Sequence, residues 1–194
     1  VATIFPEYDW VKEILGDQVE NVDLTLLLGN GTDMHSFQPT MEDILKVSTC
    51  DLFIYVGGES DSWVADALKG AGNPDRKAIN LMDVLGDQVK EEELVEGMQD
   101  EDDHTHEEGH THDDDLEYDE HVWLSLKNAS LFCDTIASSL ADADPEHSRL
   151  YQQNAEAYEE KLAALDQEYQ TSVEKSQSKT LLFADRFPFR YLID

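Results

Sequence analysis

Four short apolar runs, the first three followed by turns and residues at helical spacing, set the strongest constraint on what this chain can fold into. They are Val1 to Phe5, Asp23 to Leu28, Asp51-Leu52-Phe53-Ile54-Tyr55-Val56, and Ala78 to Met82. A strand that is apolar throughout, rather than alternating, is buried on both faces. Repeated alternation of such strands with helices predicts an α/β fold: a four-stranded parallel sheet flanked by helices, with ligand loops beyond the carboxyl ends of the strands.

The helices between the runs carry their own signals. Trp10, Val11, Ile14 and Leu15 make a stripe over Tyr8 to Leu15 that Gly16 closes. Thr40 with Asp43 caps a helix through Val47, and Ser60 is placed to cap one from Asp61 to Lys69, stopped by Gly70. Further on, Ser125 caps a helix whose apolar face is Ala129, Phe132, Cys133, Ile136, Ala137 and Leu140. Asp144-Pro145 starts a long one, with Tyr151, Ala155, Tyr158, Leu162, Leu165, Tyr169 and Val173 in steps of three and four. Taken over 145–176, that helix spans roughly 48 Å at about 1.5 Å per residue, the length of a strut between lobes. A new strand then begins at Lys179 to Phe183.

The histidines supply the chemistry. His35 lies in the turn-rich loop after the second run, and His121 lies in Tyr118-Asp119-Glu120-His121-Val122-Trp123, just before the Ser125 helix. Both occupy junctions where a loop ligand would sit, and imidazole nitrogen is a preferred donor for borderline-soft divalent cations such as zinc. His104, His106, His110 and His112 stand in an acidic stretch, about 87–117, whose composition predicts no fixed structure and an accessory, weaker metal-collecting role. Asp33 and Asp119 are candidate acceptors for the second ring nitrogens. Glu59, Asp61 and Glu120 are acidic neighbours of the same loops, Trp63, Trp123 and Phe187 read first as packing residues, and His147 reads as surface.

Composition closes off several classes. The formal net charge of -31 over 194 residues repels polyphosphates, so no nucleic acid partner is expected, and it favours cations. Cys50 and Cys133 are too few and too far apart for a zinc knuckle or a CxxC motif, leaving either free thiols or, in a secreted protein, one disulfide. No run is long or apolar enough to span a bilayer, and Val1 opens directly into the first strand, as in a cytosolic protein or one whose leader has been removed. A zinc hydrolase is the rival from another class, but there is no HExxH motif or nucleophile elbow. A surface adhesin merely steadied by metal is the third reading.

In combination these segments resemble the metal-binding subunits of ABC importers for zinc and manganese, the cluster A-I solute-binding proteins. GTDMHSFQPT around His35 is similar to the family's first-ligand loop, and YDEHVWLS around His121 to its second-ligand segment. Asp51 to Gly57 resembles its DLFIYVG strand, Asp61-Ser62-Trp63 its acidic-x-Trp helix start, and LLFADRFPF the first strand of its C-terminal lobe. The resemblance implies an N-terminal metal-binding lobe over 1–142, a linker helix over 143–178 and the beginning of a C-terminal α/β lobe over 179–194. It implies Zn2+ (Mn2+ as the alternative) held in the cleft by His35 and His121, outside the cytoplasm in the periplasm or on a cell-surface lipoprotein, for delivery to a membrane permease. A monomer is expected when both lobes are present, with association through an incomplete C-terminal lobe as the other reading. Three departures stand out: Ala184 occupies the place of the family's third ligand, with Asp185 beside it as a substitute; the fourth, acidic ligand would fall beyond Asp194; and Leu126 replaces a frequent proline.

Overall fold

The computed structural model describes residues 1–29, 31–70, 72–92, 118–182 and 187–193. Two strands, β1 (Leu52–Tyr55) and β2 (Lys77–Asn80), pair in parallel, Leu52 opposite Lys77 and Tyr55 opposite Asn80. The first two apolar runs complete the parallel arrangement through isolated bridges, Ala2 with Leu26 on one side and Ala2 with Ile54 on the other. All four runs therefore lie side by side in the order second, first, third, fourth. The expectation of four full strands is corrected to two strands and two bridging segments, because the flanking runs turn away after two or three paired residues. Thr3 N–H reaches Ile54 O at 3.1 Å and Leu28 N–H reaches Thr3 O at 3.0 Å, but pairing stops there because α1 (Phe5–Leu15) begins at once. Pro6 sits in the first turn of that helix, where a proline gives up an N–H that has no partner anyway.

Alternation along β1 divides the core. Phe53 is fully buried with Val47, Val64 and Ala67 beneath α2 (Met41–Thr49) and α3 (Val64–Leu68). Ile54 points the other way, into a larger cluster with Trp10, Ile14, Phe132, Ile136 and Tyr151. That second face is built by α1, α5 (Leu126–Ala143) and α6 (Ser148–Lys175). Both faces of the sheet are thus covered, as all-apolar strands demand. Cys50 and Cys133 are free thiols divided between the two sides, and burial pushes the Cys133 thiol up to about 12.

Caps set most boundaries. Thr40 and Asp43 form the expected reciprocal capping box of α2, and Ser125 Oγ accepts Asn128 N–H at the start of α5, where Leu126 takes the first helical position. Asn80 Oδ1 accepts N–H from Met82 and Asp83, so the fourth run turns into α4 (Leu81–Leu85) instead of continuing as a strand to Met82. Ser60 does not cap α3; residues 59–63 form turns and the helix starts at Val64. The 28 residues of α6 span about 42 Å. Its first 15 residues bury Tyr151, Ala155 and Leu162, while Leu165, Tyr169 and Val173 are exposed.

The described residues at the start of the acidic stretch, 87–92, have structure. Gly86–Gln88 is a helical turn, Val89 packs on the core, and Glu91 pairs antiparallel with Tyr118. Residues 93–117, with His104, His106, His110 and His112, lie outside the described residues, as do Ala184 and Asp185. Lys179 to Leu182 form no strand, and Leu181 and Leu182 are exposed. The last described element, α7 (Arg190–Ile193), returns to the lobe: the buried Tyr191 hydroxyl donates to Asp119 O at 2.8 Å and accepts Lys90 N–H at 2.9 Å. Among the described residues no helix is long and apolar enough to cross a membrane.

Candidate metal site

His35 stands in a helical turn, Met34–Ser36, capped by Asp33, whose Oδ1 accepts the His35 backbone N–H at 3.0 Å. Asp33 therefore shapes the loop rather than holding the ring. The ring's partner is Ser60, whose Oγ lies 3.0 Å from His35 Nδ1. His121 precedes the turn Val122–Leu124, anchored by fully buried Val122, whose carbonyl accepts Asn128 Nδ2 at 3.1 Å. Its Nδ1 lies 2.8 Å from Asp119 Oδ1, the acceptor anticipated for it. Trp123 flanks the ring at a centroid distance of 5.3 Å.

The structure brings the two histidines together. Their ring centroids are 5.6 Å apart with planes inclined at 56°. Two imidazoles sharing one tetrahedral zinc at about 2.0–2.1 Å would hold their centroids about 5.2 Å apart. A carboxylate oxygen accepts hydrogen bonds, so the 2.8 Å contact with Asp119 Oδ1 favours the proton on His121 Nδ1 and leaves the Nε2 lone pair open to a cation. Ser60 can donate or accept, so it permits the same tautomer at His35 without imposing it. Among the described residues no group of three or more His, Cys, Asp and Glu side chains is arranged to hold an ion, so the two rings stand without a third such side chain beside them.

Carboxylates underlie this rim. Glu120, 8% exposed, accepts Ser60 N–H through Oε1 at 2.8 Å. Asp61 accepts Gly57 N–H at 3.0 Å, and burial, reinforced by the Glu120 charge, raises its carboxyl to about 6 against the opposing Gly57 hydrogen bond. Deeper still, Glu7 Oε2 takes N–H from Thr3 and Ile4 and the Thr3 hydroxyl, and burial raises this carboxyl to about 8. Asp61 and Glu120 each commit one oxygen to a backbone N–H group, which suits them to shaping the site. The roles of Ser60 and Glu120 escape sequence reasoning; the available signal was Gly57-Gly58 closing a buried strand, which marks a turn made for close approach. A cavity of about 920 Å³ elsewhere, lined by Val1, Asp23, Cys50, Asn73 and Asp142 among others, includes neither histidine.

The sequence profile of ZnuA, described as zinc-uptake complex component A, periplasmic, matches residues 1–194. The chain belongs to this family. Among its ZnuA-family relatives, the zinc-binding lipoprotein AdcA of Streptococcus pneumoniae is 33% identical over 192 residues, covering 99% of this chain and 36% of AdcA. The crystal structure of Zn(II)-bound AdcA superposes with a TM-score of 0.71 at 26% identity, over 98% of this chain and 36% of that one. The metal-dependent lipoprotein YcdH of Bacillus subtilis superposes with a TM-score of 0.76 at 26% identity, over 99% and 61%. A Mn-bound periplasmic metal-binding protein of Candidatus Liberibacter asiaticus gives 0.66 at 25% identity, over 90% and 56%. The chain thus spans about a third of the length of AdcA.

Proposed function

We propose that residues 1–142 form the metal-capturing lobe of an extracytoplasmic receptor, with 143–178 as its linker helix and 179–194 as the start of a second lobe. The observation that carries this reading is the His35–His121 pair, two rings at metal-sharing distance on the rim beyond the carboxyl ends of the parallel sheet. Zinc is the cargo, bound through both Nε2 atoms. Two imidazoles suit it better than manganese, which leans toward oxygen donors, and the zinc-binding AdcA is similar over nearly the whole of this chain. The protein is a non-catalytic carrier that hands the ion to an ABC permease. His104, His106, His110 and His112 act as a weaker collecting segment.

Zinc and manganese titrations by calorimetry on the chain, on His35→Ala, on His121→Ala and on a deletion of 100–115 test this. The expected result is a tight zinc site lost with either substitution, manganese bound more weakly, and only weak additional binding lost with the deletion. A tight site surviving both substitutions would overturn the ligand assignment.

A further inference from the structure

Ser60 can steady the His35 ring only if Ser60 is itself held, and what holds it comes from the other ligand's segment. Its N–H is tied to Glu120 Oε1, 60 residues away in sequence and next in the chain to His121. The turn between them is built to admit that carboxylate: Gly58 has φ +77°, and a Cβ there would lie 2.3 Å from Glu120 Oε1. Asp61 pins the other side of the turn through Gly57 N–H. Glu120 Oε2 is buried without a hydrogen-bond partner among the described residues. A carboxylate oxygen so placed destabilises the fold relative to an apolar side chain of similar size. What the side chain secures is therefore the contact with Ser60.

We infer that Glu120 is a positioning residue, tying the Ser60 turn to the His121 segment and so setting how His35 Nε2 stands relative to His121 Nε2. This rests on the two-histidine reading above. Asp119 orients one ring directly and Glu120 orients the other through Ser60, so adjacent carboxylates on one short segment govern both donors.

The test compares Glu120→Ala with Glu120→Gln, which keeps an acceptor oxygen for Ser60 N–H, in the full chain. Imidazole nitrogen shifts of His35 are read by NMR without metal, zinc affinity by calorimetry, and folding by thermal unfolding. Glu120→Ala should shift the His35 ring nitrogen resonances, because Ser60 Oγ is no longer held beside Nδ1, and weaken the tight zinc site about 10- to 100-fold, the usual cost of removing a group that orients a ligand. Glu120→Gln should restore both. Should Glu120→Ala fail to fold, Glu120→Asp, which is one methylene shorter, is expected to give the same changes. Unchanged His35 shifts in Glu120→Ala, or zinc weakened equally by Glu120→Gln, would overturn the inference. Because the nitrogen shifts need no metal, they decide the role of Glu120 even if His35→Ala and His121→Ala leave zinc binding intact.

Discussion

Asp119 grips His121 twice through one oxygen: Oδ1 accepts the backbone N–H at 2.9 Å and lies 2.8 Å from Nδ1 of the ring. The residue is itself 6% exposed, so neither contact is diluted by solvent. An amide in its place can turn its NH2 toward Nδ1 and favour the tautomer with the proton on Nε2, the atom proposed to bind the metal. Asp119→Asn is therefore expected to lower zinc affinity about 10- to 100-fold with little change in unfolding midpoint. Calorimetry with a parallel melt checks this, and undiminished affinity would dissociate Asp119 from the site.

Gly58→Ala is expected to disturb both fold and site. A left-handed residue with a Cβ costs about 1–2 kcal/mol, and here the new methyl would also displace the Glu120 carboxylate. Urea unfolding should show a loss of at least that size, and zinc titration a weakened tight site. Gly86→Ala, also at positive φ but with open space around its Cβ, should lose stability without affecting zinc.

Glu7 makes stability depend on pH. Burial raises its carboxyl from an ordinary value of 4.5 to about 8, so the folded chain keeps a proton that the unfolded chain releases. Its contribution is fully present below about pH 4.5 and lost as pH rises through about 8. Asp61, raised from 3.8 to about 6, acts in the same direction over a lower window. Glu7→Gln is expected to flatten the fall in unfolding free energy between roughly pH 5 and 8, measured by urea titration across that range. An unchanged slope would mean that Glu7 is not held neutral.

Arg76 ties two helix ends together. Its Nη1 donates to Val47 O and Ser48 O, both at 3.1 Å, and Nη2 to Leu68 O at 2.9 Å, so one guanidinium satisfies terminal carbonyls of α2 and α3. Arg76→Ala should cost about 2 kcal/mol, and Arg76→Lys part of that, because an ammonium lacks the planar fork. Chemical denaturation provides the measurement; zinc affinity should stay at its wild-type value.

Local signals read well where the deciding partner is near in sequence. Thr40 and Asp43 are three residues apart, Ser125 and Asn128 likewise, and both caps formed as the residues indicate. The Asp119–His121 contact, two residues apart, was equally legible. Strand length was not: nothing within Val1 to Phe5 reveals that pairing ends at Thr3, because that depends on where neighbouring runs turn away. Ser60 is deceptive for a similar reason. A serine ahead of an apolar stretch has the form of a helix cap, yet its hydroxyl is used by a ring 25 residues earlier and its N–H by a carboxylate 60 residues later.

By itself, the order of apolar runs, turns and helical stripes determined a parallel α/β lobe, because burial on both faces leaves such strands few other arrangements. It also determined that His35 and His121 would lie on loops, since turn residues and caps bracket them. Only the tertiary structure decided that the rings stand 5.6 Å apart, that Ser60 rather than Asp33 supports one of them, and that Glu120 joins the two segments. Distances between residues far apart in the chain are set by how helices and strands pack, and packing sums contributions from the whole lobe that no local stretch contains.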